Sequence, residues 1–242
     1  MWRFRSMIWC ALAASLSANA HAAVIDRSAK VDDTTIYYRV VLPNDFDPAK
    51  TYPGVLGFGG GSQDMDSVNR VIDRYFRDQA EKRGYIVIVP ASPSDLMYYQ
   101  GGERNIFPDF LQQLLSQYRI QDHKFHAAGP SVGGLTAFRV AALNPQYFLS
   151  ITAFPGYLRE DTPDRVQGIS KLCVNMFVGE HDPLGWQRYM QRQAEEFSEQ
   201  GITAQYNVEP GQAHSLDTLA GANAARLFDL FAQAQNGCGK NN

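Results

Sequence analysis

The chain is short of most of what marks a specialised partner. Against 25 Asp and Glu it sets 22 Lys and Arg, a formal net charge of −3, and its basic residues are scattered along 242 positions. Without a basic patch there is no electrostatic footprint for nucleic acid, and no nucleic-acid partner is expected. The five histidines have no paired ligand spacing, so no metal site is expected. The glycine cluster at Gly59 to Gly61 is not followed by Gly-Lys-Ser/Thr and does not match a dinucleotide fingerprint, so no cofactor is expected. Long apolar runs are missing too. The one near the start, "MIWCALAASL", holds about ten residues, where a membrane span needs about 20.

That run sits in a particular context. "MWRFR" precedes it with positive charge and "ANAHA" follows with small residues at A-x-A spacing, which together read as a secretory signal peptide over residues 1–22, cut between Ala22 and Ala23. Cys10 lacks the small-residue surroundings of a lipid-anchored cysteine. The mature chain is therefore expected to be a secreted or periplasmic domain over residues 23–242, with no membrane span. Nothing in it specifies an oligomeric state. Cysteine is scarce, and export leaves Cys173 and Cys238 as an even pair in an oxidising compartment. Joined, they would stabilise the fold by roughly 4 kcal/mol in the chain-entropy model; the alternative is two separate thiols.

Beyond the leader, β-branched and apolar runs alternate with amphipathic ones. "TTIYYRVVLP", "YPGVLGF", "YIVIVP", "KFHAAG", "FLSITAF", "LCVNMFVG" and "TAQYNVE" read as strands. The stretches "SVNRVIDRYFRDQAEKRG", "FPDFLQQLLSQYRI", "VGGLTAFRVAAL", "GWQRYMQRQAEEFSEQG" and "DTLAGANAARLFDLFAQAQ" read as helices. This order predicts an α/β fold, a mostly parallel sheet covered by helices on both faces. In such sheets functional residues gather in loops at the carboxyl ends of strands.

Gly129, Ser131 and Gly133 form G-x-S-x-G between a predicted strand and a predicted helix, the setting in which a sharp turn lifts a serine oxygen above the sheet. The plainer reading is a Gly/Pro turn with a capping hydroxyl. A base for this serine emerges by elimination. His21 leaves with the leader, His126 lies about 16 Å back along one strand, and His123 lies farther. His181 abuts the acid loop, which leaves His214 in "VEPGQAHSLD". Asp182 in "FVGEHDPLGW" is the acid, with Glu180 its competitor. The order Ser131, Asp182, His214 is that of α/β-hydrolases. Backbone donors for an oxyanion are expected at Gly61, with Gly60 as the alternative, and at Val132. Trp186, Tyr98, Tyr99 and Tyr157 fall in loops on the same face as candidates for a substrate pocket.

These motifs together resemble the α/β-hydrolase fold, and more narrowly the secreted esterases grouped with polyhydroxybutyrate depolymerases and feruloyl esterases. "LPNDFDPAKTYPGVLGFGGGS", "GPSVGGLTAFRVAALNPQYF", "VGEHDPLGW" and "PGQAHS" carry the resemblance across nearly the whole mature chain. It implies a small-molecule or polymer ester as substrate, Ser131 as nucleophile, Asp182 as acid, His214 as base, and Gly61 and Val132 as oxyanion donors. Two positions depart from the family: Gly59 stands where a histidine usually opens the oxyanion loop, and Pro130 precedes the serine. Only seventeen residues, Pro155 to Lys171, separate two strands where a lid would insert, so no large lid is expected. A peptidase or acyltransferase on the same three residues, and a non-catalytic module retaining the shell, are the alternatives.

Overall fold

The computed structural model describes residues 24–93, 98 and 106–238; the expected signal peptide and Tyr99 lie outside them. Eight strands form one sheet: β1 (Val24–Val31), β2 (Thr34–Val41), β3 (Tyr52–Gly57), β4 (Ile86–Pro90), β5 (Ile120–Gly129), β6 (Phe148–Ala153), β7 (Cys173–Gly179) and β8 (Ala204–Glu209). They lie in the order β1-β2-β4-β3-β5-β6-β7-β8. β1 and β2 form an antiparallel hairpin, β2 pairs antiparallel with β4, and every later pairing is parallel.

Side-chain alternation along the strands divides the core into two layers. Leu56, Ile86 and Ile88 face one side, where they pack with Phe110, Phe138 and Phe197. Those aromatics come from α3 (Phe107–Gln117), α4 (Val132–Leu143) and α6 (Trp186–Glu199). Val55, Val87 and Val89 face the other side and pack with Val71, Phe76, Phe228 and Phe231. These belong to the first helical segment and to α7 (Ala225–Gln235). β4 and β7 are buried at every position, because both of their faces are covered.

Three local features depart from the sequence expectation. β1 has an exposed, polar middle and leaves little hydrophobic signal, because it is an edge strand paired on one side. The expected continuous helix after the glycine cluster is α1 (Met65–Val71) and α2 (Arg77–Arg83) joined by a π turn, Ile72–Phe76. Such wide turns shift the helix face by a residue and recur near functional sites. The final helix begins only at Ala225; two 3-10 turns precede it, and Gly221 at φ 57° interrupts the run. A short helix α5 (Pro163–Ile169) lies within the segment too brief for a lid domain. Among the described residues no helix is long and apolar enough to cross a membrane.

Cys173 and Cys238 are joined in a disulfide with Cα atoms 5.3 Å apart. The bridge ties the start of β7 to the chain just beyond α7.

Candidate active site

Ser131 stands between β5 and α4 with φ 56° and ψ −123°, a strained conformation for a residue with a side chain. The strain is imposed from both sides. A Cβ on Gly129 would come within 2.6 Å of the Phe58 carbonyl oxygen, and one on Gly133 within 2.3 Å of the same atom. Only glycine at both positions lets the end of β3 press against the turn. The Pro130 carbonyl accepts the Gly133 N–H at 2.8 Å, closing the first turn of α4. β5 ends at Gly129, so the ring nitrogen of Pro130 owes no ladder hydrogen bond.

The three side chains singled out in the sequence meet. His214 Nε2 lies 2.8 Å from Ser131 Oγ, and His214 Nδ1 lies 2.8 Å from Asp182 Oδ2. The Asp182 side chain is fully buried and its other oxygen accepts the Leu184 N–H at 2.8 Å. Glu180 points elsewhere: its Oε2 accepts the Gly211 N–H at 2.8 Å. It braces the loop that carries His214 and does not reach the ring. Backbone bonds from Glu180 N–H to Glu209 O and from His181 N–H to Gln212 O bind the acid and base loops to each other. The base loop is also anchored where it begins. Arg226 on α7 donates to both carboxylate oxygens of the buried Glu209, at 2.9 and 2.8 Å, and this pairing holds the Glu209 carboxyl below its ordinary pKa.

Beyond β3 the glycine-rich loop passes beside the serine. A Cβ on Gly60 would lie 3.7 Å from Ser131 Cβ, which puts this loop's backbone next to the hydroxyl. Val132 is the first residue of α4, where helix N–H groups have no partner within the helix. Gly59 is held to glycine by packing, because a Cβ there would meet Ser67 Cβ at 2.9 Å. Ser67 of α1 thus occupies the place a larger residue would need. Sequence reasoning missed Gln63, which is 1% exposed. Its Nε2 donates to the Gly59 carbonyl at 3.2 Å and to Thr136 Oγ1 at 3.0 Å, and its backbone carbonyl accepts the Ser92 N–H at 2.7 Å. One amide side chain therefore fixes the glycine loop to α4.

A cleft of about 300 Å³ opens at the serine, lined by Gly60, Gly61, Ser131 and His214 and also by Arg70 and Arg74. The two arginines come from α1 and the π turn. Their i,i+4 spacing in a helix that follows the glycine loop was the available signal; attention to the apolar face alone overlooked it. A larger depression of about 600 Å³ lies around Lys124, Phe148 and the Cys173–Cys238 bridge. No histidine lines it, and it is remote from the serine.

The aromatic candidates separate. Trp186 meets the His214 ring edge-on at 5.1 Å, and Tyr157 packs against Trp186 at 5.3 Å and stacks on Tyr189. Tyr189, 48% exposed, was not anticipated. Tyr98 is a correction. It is a core residue, 3% exposed, its hydroxyl donating to the Ala91 carbonyl at 2.7 Å and its ring packed on Phe58 and Phe107. Burial pushes its pKa up. The ring therefore covers apolar core surface and does not line the cleft at the serine. Tyr99 lies outside the described residues.

A mostly parallel, helix-covered sheet with this strand-turn-helix serine defines an α/β-hydrolase. The Esterase family model matches residues 29–216. The chain belongs to that family, and it is a carboxylesterase-type hydrolase. No curated protein matches it. Among solved structures, it is similar to an S-formylglutathione hydrolase from Agrobacterium tumefaciens, at 16% identity and a TM-score of 0.63, covering 89% of this chain and 95% of that one. A ferulic acid esterase aligns at 15% identity and a TM-score of 0.65, covering 90% and 99%. A thermostable esterase aligns at 20% identity and a TM-score of 0.61 over 77% of this chain, which spans 54% of that protein's length.

Proposed function

We propose that the protein hydrolyses carboxylic esters through an acyl-enzyme on Ser131. The observation that carries this reading is the unbroken series Ser131 Oγ, His214 and Asp182, each contact 2.8 Å long. In the first half-reaction Ser131 Oγ bonds to the ester carbonyl carbon while its proton passes to His214 Nε2. Asp182 accepts the Nδ1–H bond, orients the ring and stabilises its charged form. The oxyanion is held by the N–H of Val132 and that of Gly61 or Gly60, each worth about 3–4 kcal/mol in the transition state. Collapse breaks the C–O bond, and His214 returns the proton to the departing alcohol. Water then attacks the acyl carbon, giving its proton to Nε2, and the carboxylic acid leaves.

The short segment around α5 favours an open site, suited to short soluble esters or polymer ends. Export is part of the proposal. It is supported by the leader read at residues 1–22 and by a disulfide of the kind that persists in oxidising compartments.

The test pairs a fluorophosphonate label with 4-nitrophenyl acetate, butyrate, longer acyl esters and an aminoacyl amide. Ser131→Ala should lose the label and at least about 10⁴-fold in kcat. A label that persists on the peptide containing position 131 rejects the assignment, and faster turnover of the amide than of the esters would make the enzyme a peptidase.

A further inference from the structure

Two guanidinium groups share the cleft with the proposed nucleophile, and a neutral ester has no use for either. Their surroundings differ. Arg74 already has partners for two of its three nitrogens: its Nε donates to Tyr75 Oη at 2.9 Å, and its Nη2 donates to Ser215 Oγ at 3.1 Å and pairs with Asp217. Its charge is largely spent on bracing the residue after His214. Arg70 forms no ion pair among the described residues. Its Nη2 donates to Ser67 Oγ at 2.9 Å, and Ser67 Oγ in turn donates to Asp64 Oδ1. Asp64 is already occupied, since it also accepts from Ser62 Oγ and from the Ser67 N–H. These bonds, Ser62's foremost, hold its carboxyl down to about 2, with the nearby Arg70 charge adding a smaller pull that stops short of an ion pair.

The hydroxyl of Ser67 thus orients one nitrogen of Arg70, while the remaining donors of the guanidinium meet no hydrogen-bond partner among the described residues. A planar fork with free N–H groups matches a carboxylate in two parallel bonds. The same Ser67 excludes a side chain at Gly59, so the position that sets the glycine loop also aims the cation.

We propose that Arg70 is a specificity-determining residue that selects esters bearing a carboxylate, docking that anion at the wall of the cleft while the ester carbonyl lies at Ser131. This rests on the serine-esterase reading above and adds the class of substrate. The carboxylate belongs to the ester itself, on either its acyl or its alcohol part, at a distance the cleft can span.

The experiment compares each anionic ester with its uncharged carboxamide: 4-acetoxybenzoate against 4-acetoxybenzamide for the alcohol side, and a monoaryl glutarate against its amide for the acyl side. Wild type should favour the anion in at least one pair by about tenfold or more in kcat/KM. Arg70→Gln should collapse that ratio and Arg70→Lys should keep part of it. Raising salt from about 0.02 to about 0.5 M should shrink the wild-type ratio, because an exposed pair is screened; this arm needs no variant. A ratio near one in wild type, or one that Arg70→Gln leaves unmoved, overturns the proposal while leaving amide-ester hydrolysis, and so the esterase reading, intact. No turnover of any ester together with no labelling of Ser131 overturns both.

Discussion

Asp182 is fully buried where it meets His214, whereas the imidazole it holds is about a quarter exposed, and 2.8 Å separates the two side chains. The carboxylate faces protein and the ring faces the cleft. On the proposed mechanism, an acceptor fixed in this way selects the tautomer that leaves Nε2 free to take a proton from Ser131.

On the proposed mechanism, Asp182→Asn should preserve the fold and the spacing but present an N–H to Nδ1, favouring the wrong tautomer. We expect kcat to fall by about 10⁴-fold with KM little altered. Steady-state kinetics on 4-nitrophenyl butyrate, beside a thermal melt to confirm folding, measure both. Glu180→Gln should cost far less, since Glu180 contacts Gly211 and not the ring.

Gln63 has no contact with the proposed reacting atoms, and it anchors the loop that would hold the oxyanion. Gln63→Ala should remove two buried side-chain hydrogen bonds and destabilise the protein by about 1–3 kcal/mol. The loosened loop should also lower kcat more than it raises KM. If kcat at a temperature well below the melt equals that of wild type, Gln63 serves stability alone.

His126 should make the fold acid-sensitive. It is completely buried, stacked on Phe231 and bonded through Nδ1 to Ser150 Oγ, and burial pulls its pKa down to about 3. The unfolded chain, with an ordinary histidine near pH 6.5, binds a proton that the folded chain refuses. Stability should therefore decline as pH falls from about 6.5 toward about 3, by about 1.4 kcal/mol per pH unit from this group. Urea melts of wild type and His126→Asn at pH 7 and pH 5 check it: the asparagine variant should lose less stability across that interval, and equal losses would refute the account.

The bridge between Cys173 and Cys238 closes a 65-residue separation. Cys238→Ser should lower stability by roughly 4 kcal/mol, a drop in Tm of roughly 10 °C for a chain of this size. A reductant should shift wild type to the same point and leave the variant where it is.

What the sequence alone determined was local in origin. Glycine at 129 and 133, an apolar strand before and a small-residue helix after are enough to specify a sharp turn at Ser131, because neighbours along the chain set backbone conformation. Elimination among five histidines then left His214, the loop after an apolar strand offered Asp182, and the resulting chain order agreed with both. Tertiary structure decided everything that depended on distance in sequence. Gln63 reaches Thr136 across 73 residues, Glu180 and Asp182 part company by which backbone each meets, and the Tyr98 ring packs in the core against Phe58 and Phe107. Arg70 and Arg74 reach the cleft only because α1 and its π turn pack with that face toward the end of β3. Periodicity shows that a helix has a buried side; which of its polar residues then overlook a nucleophile follows from the angle at which it docks, and that angle is set by the packing of residues far apart in the chain.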